Sequence, residues 1–191
     1  MKPSIASRPS VTPVTRRGAE SGVVCLVGFM GAGKTSVGKL LSRRLGWPFE
    51  DLDERIEARE GHSIAEIFRD SGEAEFRRAE HAALRELLSE AGDAAKIVAL
   101  GGGAFAQPEN LTLLEKSGAS VVFLDGTPEE LFRRCELQAI SRPLRRDPVQ
   151  FRDLYEQRRP SYMAAAWRVD TSGKDLETVA AEVAGSLGLQ P

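Results

Sequence analysis

The sequence predicts an α/β fold in which one parallel sheet is covered by helices on both faces. Short runs of almost entirely apolar residues occur at 23–27, 97–100 and 121–124, which is the pattern of strands buried on both faces. Segments with the apolar spacing of amphipathic helices stand between these runs, and strands that alternate with helices form parallel sheets. A chain of 191 residues is long enough for one domain with its own core.

The predicted strands and helices alternate along the chain. Residues 35–45 place their apolar side chains on one helical face, and residues 176–187 show the same spacing. Thr127 is followed by Pro128 at the first helical position and by Glu130 three residues on, which are signals of a helix start. The predicted strands cover residues 23–27, 48–51, 97–100, 121–124 and 168–170. The predicted helices cover residues 35–45, 53–60, 63–70, 73–91 and 176–187, with a further helix after Thr127.

Residues 1–21 differ in composition from the rest of the chain. They contain three prolines, four basic residues against one acidic residue, and few apolar side chains. Such a segment buries too little apolar surface to offset the entropy of ordering. We expect a disordered N-terminal extension, followed by one domain over residues 22–191. Organelle transit peptides are also rich in Arg and Ser, but this segment is short and proline-rich for that role.

The charge balance and the apolar pattern exclude two classes of partner. The chain carries 26 Lys and Arg against 28 Asp and Glu, which excludes the global basic field that drives nonspecific nucleic-acid binding. No apolar run approaches the ~20 residues that a membrane-spanning helix needs. Cys25 and Cys135 show no metal-ligand spacing, which suits a reducing compartment. We therefore expect a cytoplasmic protein without a nucleic-acid or membrane partner.

The basic residues are unusually rich in arginine, with 20 Arg and 6 Lys. Arg presents a planar fork that binds carboxylates and phosphates through two hydrogen bonds, which Lys cannot do. A GC-rich genome produces the same bias without functional meaning. The composition is therefore consistent with either explanation.

Residues 28–35 match the pattern G-x-x-x-x-G-K-[S/T] of a phosphate-binding loop (P-loop), between a buried strand and a helix. The glycines allow backbone N–H groups to turn toward phosphates, Lys34 would reach the β and γ oxygens, and the Thr35 hydroxyl would ligate Mg²⁺. The alternative is a glycine-rich turn with an incidental lysine, and the strand and helix context argues against it. The predicted nucleotide-binding residues are Gly31, Ala32, Gly33, Lys34, Thr35 and Ser36.

A carboxylate for the metal should stand on a neighbouring strand, and two candidates compete. Asp125 follows four apolar residues, which is the pattern of a Walker B strand, although it is also typical of a turn residue. Asp51 and Asp53 close the second strand, and positions i and i+2 of a strand share a face. Asp53 is also a candidate helix N-cap. The spacing alone leaves the choice open.

Several segments, taken in order, resemble the shikimate kinase family. The P-loop alone marks a large superfamily, whereas an Asp-x-Asp, a Phe-Arg-Arg-Ala-Glu and a triple glycine in this order are far more specific. The resemblance runs from residue 22 to residue 189. The segments that carry it are residues 27–35, 51–53, 72–73, 76–80, 99–104, 142–144 and 158–162.

The resemblance implies a three-layer P-loop kinase fold, with a five-stranded parallel sheet in the order 2-3-1-4-5 and a lid at about residues 136–148. It implies an enzyme that binds ATP, Mg²⁺ and shikimate and phosphorylates the shikimate 3-hydroxyl, on the route to chorismate and the aromatic amino acids. We expect a monomer. In such kinases Asp51 would hold the water shell of Mg²⁺ and Asp53 the shikimate hydroxyls, which decides against Asp125.

The resemblance also implies roles for arginines and glycines. Arg77 and Arg158 match the positions that hold the shikimate carboxylate, and Glu80, one turn beyond Arg77, would steady its guanidinium. Arg142 in the lid would contact the transferring phosphoryl group, and Arg134 is a second candidate near the nucleotide. Three glycines directly follow the predicted strand at residues 97–100, at the end of the strand where ligands of open α/β sheets bind. They are Gly101, Gly102 and Gly103.

The sequence departs from the family in the lid and leaves two other functions open. Family lids commonly read Arg-Pro-Leu-Leu, but Leu144 is followed here by Arg145 and Arg146, which would change the charge of the lid. One alternative function is a kinase for another small hydroxy acid, such as gluconate. The other is a non-catalytic module that senses shikimate or a nucleotide, against which Lys34, Thr35 and the Asp-x-Asp argue.

Overall fold

The computed structural model describes residues 22–91, 94–137 and 147–189. Its sheet consists of five parallel strands in the order β2-β3-β1-β4-β5, which confirms the expected order. Residues 138–146 of the expected lid, which include Arg142, lie outside the described residues. The segment 1–21 also lies outside them. The strands are β1 Val23–Val27, β2 Phe49–Asp51, β3 Lys96–Ala99, β4 Ser120–Asp125 and β5 Trp167–Asp170.

The helices include the predicted ones and two that the apolar spacing did not indicate, α4 and α6. Gly72 has φ 78° and ψ 178° within α3, so this helix bends between the two segments that were predicted as separate helices. The described part contains no helix long and apolar enough to cross a membrane. The helices are α1 Lys34–Leu45, α2 Leu52–Glu60, α3 Ile64–Ala91, α4 Pro108–Ser117, α5 Pro128–Leu137, α6 Pro148–Tyr162 and α7 Leu176–Ser186, with a 3₁₀ turn at Ala104–Ala106.

The core is formed by the three central strands and the helices that cover them. Every residue of β1, β3 and β4 is buried, as expected for strands covered on both faces. Helix α1 packs on α7, and α2 packs on α3. The apolar runs of the sequence therefore specify the interior of the sheet.

The carboxyl ends of the strands form the edge that carries the site. Because the strands are parallel, the segments after β1, β2, β3 and β4 emerge at the same edge. Strand β1 lies between β3 and β4, with β2 and β3 on one side of it and β4 and β5 on the other, and ligands of open α/β sheets bind where the strand order switches sides in this way. The P-loop, the Asp51 end of β2 and the triple glycine meet there.

Candidate active site

The P-loop is a tightly packed turn that only glycine permits at two positions. Gly28 and Gly31 have φ of 148° and 81°. A Cβ on Gly28 would lie 2.6 Å from the carbonyl oxygen of Leu124, and one on Gly31 would lie 2.5 Å from that of Leu131. Both contacts are with backbone, which cannot move away as a flexible side chain would. Side chains at these positions would therefore distort the loop.

The amino end of α1 differs from those of other helices that border the site. Asp51, Asp147 and Asp175 cap α2, α6 and α7 with side-chain carboxylates. Helix α1 instead begins after Gly33, with no side-chain cap and no acidic residue in its first turn. Its first N–H groups and the positive end of its dipole are therefore available to an anion.

Lys34 and the pair Thr35–Asp51 complete the phosphate side. The Lys34 ammonium donates to the carbonyl oxygens of Gly28 at 2.9 Å and Phe29 at 3.3 Å, so it lies folded along the loop. The Thr35 hydroxyl donates to Asp51 Oδ2 at 2.8 Å. Asp51 Oδ1 accepts the backbone N–H of Asp53 at 3.1 Å, so Asp51 caps α2, where Asp53 was the candidate cap.

The hydroxyl of Thr35 and the carboxylate of Asp51 fit a magnesium site. Mg²⁺ prefers oxygen ligands, keeps several waters and takes only one or two ligands from the protein. The two side chains lie side by side at the amino end of α1, where phosphates would also bind. The described residues hold no cluster of three or more His, Cys, Asp or Glu that would form an all-protein metal cage.

Each glycine of the triplet that follows β3 faces a different functional side chain. A Cβ on Gly101 would lie 2.6 Å from Asp53 Oδ1, and one on Gly102 would lie 3.2 Å from Arg158 Nη1. A Cβ on Gly103 would lie 2.8 Å from Arg77 Nη1 and Nη2. None of the three has a positive φ, so glycine is needed here for close approach, not for backbone conformation. The structure thus brings together three side chains that are far apart in sequence.

Arg77 is held in place by two carboxylates of its own helix. It donates to Glu80 Oε2 at 2.9 Å and to Glu73 Oε1 at 3.1 Å. The Glu80 side chain is only 1 % exposed. Burial raises the pKa of the Glu80 carboxyl above its ordinary value, and the hydrogen bond from Arg77 opposes this rise. These hydrogen bonds orient the guanidinium toward Gly103.

Tyr162 is a buried residue of the site for which the sequence predicted no role, although it lies in the segment 158–162 that carries the family resemblance. Its hydroxyl donates to the carbonyl oxygen of Gly102. Burial raises the pKa of this phenol to about 12, with Arg158 acting in the opposite direction. Tyr162 follows Arg158 by four residues, so both lie on one face of α6. The four-residue spacing from Arg158 was the signal in the sequence that could have identified Tyr162 as a residue of the site.

A cavity of about 320 Å³ lies beside the P-loop, away from the triple glycine. At its border Arg134 donates to the Thr171 carbonyl at 2.6 Å and to Glu130 at 2.7 Å, which ties α5 to the segment after β5. The position suits the base and ribose of a nucleotide whose phosphates lie on the loop. The lining includes Gly31, Ala32, Gly33, Ser36, Arg134, Thr171, Lys174 and Leu176.

Asp125, the rival metal carboxylate, is occupied by other groups of the chain. Oδ2 accepts a hydrogen bond from Arg159 at 2.8 Å and forms an ion pair with Arg168 at 2.7 Å. Oδ1 accepts from the Gly126 N–H at 3.0 Å and from the Tyr155 hydroxyl at 3.3 Å. The apolar run before Asp125 therefore ends in a buried carboxylate that is paired with partly exposed arginines, and Asp51 has the contact with Thr35 instead.

The comparisons with known proteins agree with these observations. The family model described as shikimate kinase matches residues 30–187. A shikimate kinase of Geobacter metallireducens is 44% identical over 167 residues, covering 86% of this chain and 90% of that protein. One of Persephonella marina is 37% identical over 164 residues, covering 86% of this chain and 98% of that protein.

Comparison with solved structures also identifies shikimate kinases as similar proteins. Shikimate kinase from Acinetobacter baumannii in complex with shikimate superposes with a TM-score of 0.77 at 34% identity, over 88% of this chain and 93% of that one. A gluconokinase from Sinorhizobium meliloti has a TM-score of 0.57 at 18% identity, over 91% of this chain and 94% of that one, and shares the fold alone. The chain belongs to the shikimate kinase family.

Proposed function

We propose that this chain transfers the γ-phosphoryl group of ATP to the 3-hydroxyl of shikimate. The observation that carries the proposal is the triple glycine, whose members face Asp53, Arg158 and Arg77 at the sheet edge that also holds the P-loop. A small hydroxylated carboxylic acid needs this combination of groups. The cationic forks bind its carboxylate and the aspartate binds its hydroxyls.

The acceptor lies between α2, α3, α6 and the triple glycine in this proposal. Arg77 and Arg158 bind the carboxylate, and Glu80 keeps Arg77 in its orientation through the 2.9 Å hydrogen bond. Asp53 accepts a hydrogen bond from the attacking hydroxyl and orients it toward the P-loop. Because phosphoryl transfer has a loose transition state, orientation of the nucleophile matters more than removal of its proton.

The donor phosphates lie on the P-loop. N–H groups of the loop and of the first turn of α1 bind the phosphate oxygens, and Lys34 exchanges its carbonyl partners for the β and γ oxygens. Thr35 and Asp51 would hold Mg²⁺, directly and through water respectively. When bound, Mg²⁺ neutralises charge on the phosphate oxygens. Removal of divalent cations with EDTA should abolish turnover, and added Mg²⁺ should restore it.

The remaining roles rest on the family resemblance and the cavity beside the loop. Arg134 lies near the base and ribose, and Arg142 contacts the transferring phosphoryl group when the lid excludes water. We also propose that the protein is a monomer. Cys25 and Cys135 are buried thiols that are not joined in a disulfide, which favours a reducing compartment, and we propose the cytoplasm.

A coupled assay of ADP release with shikimate, quinate and gluconate as acceptors tests the proposal. We expect turnover with shikimate and at most weak turnover with the other acids. Turnover with gluconate only would refute the proposed substrate. Tight binding of shikimate in calorimetry without any ADP release would instead favour a sensing module.

A further inference from the structure

Helix α6 presents two stripes of side chains to two different parts of the molecule. Phe151, Tyr155 and Arg159 are spaced four residues apart and form one stripe, and Arg158 and Tyr162 belong to a neighbouring stripe. Because successive residues of a helix are rotated by about 100°, Arg158 and Arg159 point in different directions. The rotation of α6 about its axis decides which of these two arginines faces the triple glycine.

The first stripe is fixed by the P-loop and by Asp125. Phe29 of the P-loop packs edge-to-face on Phe151 and Tyr155, with ring centroids 5.0 and 5.6 Å apart. At the end of the stripe Arg159 donates to Asp125 at 2.8 Å. Aromatic packing tolerates small sliding and rotation, whereas a hydrogen-bonded ion pair requires a defined direction.

The second stripe then faces the acceptor side. Tyr162 donates to the carbonyl oxygen of Gly102, and Arg158 Nη1 lies 3.2 Å from where a Cβ of Gly102 would be. A long guanidinium side chain carries any rotation of the helix to its end, where misplacement weakens a two-point contact with a carboxylate. The contacts of the first stripe, among them the ion pair of Arg159, therefore bear on the direction in which Arg158 points.

We propose that Arg159, through its ion pair with Asp125, is a positioning residue that orients α6 and thereby aims Arg158 at the carboxylate of the acceptor. This inference rests on the proposed function, since it concerns the affinity for shikimate. It gives the buried carboxylate at the end of β4 a role in acceptor recognition, although Asp125 touches no substrate.

Arg168 provides a matched control. It forms an ion pair with the same Asp125 oxygen at 2.7 Å, but it belongs to β5 and not to α6. Arg159→Met and Arg168→Met each remove one guanidinium from Asp125. Only the first removes an ion pair between this carboxylate and the helix that carries Arg158, and it leaves the longer hydrogen bond from the Tyr155 hydroxyl to Asp125 Oδ1 at 3.3 Å.

The test is the steady-state kinetics of the two variants. We expect Arg159→Met to raise the KM for shikimate about ten- to a hundred-fold, with the KM for ATP within about two-fold of the wild type. Arg168→Met should leave both KM values within about two-fold. Arg159→Lys keeps a cation opposite Asp125 and should raise the KM for shikimate less than Arg159→Met, a rescue that general loss of structure would not produce.

A double-mutant cycle with Arg158→Met decides whether Arg159 acts through its neighbour. If it does, adding Arg159→Met to Arg158→Met causes little further change in the KM for shikimate. Full additivity, or an equal effect of Arg168→Met, overturns the inference while shikimate turnover by the wild type stands. A wild-type protein that neither binds nor phosphorylates shikimate overturns the proposed function, and this inference with it.

Discussion

The donor side and the acceptor side of this site are built in different ways. The donor side is one continuous segment, the P-loop with the first turn of α1, and it offers mainly backbone N–H groups and Lys34. The acceptor side is assembled from side chains of α2, α3 and α6 around the triple glycine. A backbone cradle binds any phosphate chain, whereas a set of side chains from separate elements selects one acceptor.

This comparison implies that the two sides can be disabled separately, and Asp53 should show it most strongly. Asp53→Ala removes the group that we propose to orient the attacking hydroxyl, and we expect kcat to fall about a thousand-fold. Binding of nucleotide, measured by calorimetry, should stay close to that of the wild type. Asp70→Ala, which removes an exposed carboxylate, is the control. Parallel loss of nucleotide affinity and turnover would mean that the two sides are not separable.

The arginines of α3 offer a second separation, with a smaller expected effect. Arg77 is oriented by Glu80 and faces Gly103, whereas the neighbouring Arg78 is 70% exposed and pairs with Glu75. Arg77→Met should raise the KM for shikimate about a hundred-fold, because a charged group of the ligand loses its partner. Arg78→Met should leave both KM values unchanged. Steady-state kinetics with each substrate varied in turn measures these KM values. A larger rise in the KM for shikimate with Arg78→Met than with Arg77→Met would contradict the prediction.

The difference between a contiguous donor side and an assembled acceptor side explains which parts of the site could be predicted from the sequence. The P-loop is contiguous, so its residues, its strand and its helix could all be derived from local spacing. Asp125 could not be separated from Asp51 in this way. Its partner Arg159 lies 34 residues further along the chain, and only the folded structure brings the two together.

The two helices that were not predicted, α4 and α6, differ in how clearly the sequence marks their starts. Helix α6 begins with Asp147 as N-cap and Pro148 at its first position, and these are start signals that the sequence displays. Its buried residues are few, and Pro160 lies inside it, so its apolar spacing is weak. Helix α4 also has a proline at its start, but no capping side chain precedes it.

The triple glycine allows the acceptor side to be perturbed without removing any functional group. Gly101→Ala places a Cβ 2.6 Å from Asp53 Oδ1, and relief of this clash displaces the carboxylate. We expect kcat/KM for shikimate to fall about ten-fold, as for a moderate overpacking strain. Gly185→Ala in α7 meets no atom within 4 Å and should leave activity unchanged. Equal activities of the two variants would contradict the close approach.

Glu80 should produce the smallest effect, on stability rather than on turnover. Burial raises the pKa of its carboxyl above the ordinary 4.5, so the folded protein binds this proton more tightly than the unfolded chain. Its contribution to the free energy of unfolding is therefore fully present below that value and is lost as the pH rises through the folded pKa. Glu80→Gln removes this dependence, so the difference in stability, wild type minus variant, should decrease with rising pH.

Glu66 supplies a control of opposite sign at the other end of α3. Hydrogen bonds from Ser63 lower the pKa of its carboxyl, so its contribution is present above the ordinary value and is lost as the pH falls. The same difference for Glu66→Gln should therefore increase with rising pH. Urea unfolding of the three proteins between about pH 4 and pH 7 measures both slopes. Equal slopes would show that the hydrogen bond from Arg77 outweighs burial and lowers the pKa of the Glu80 carboxyl.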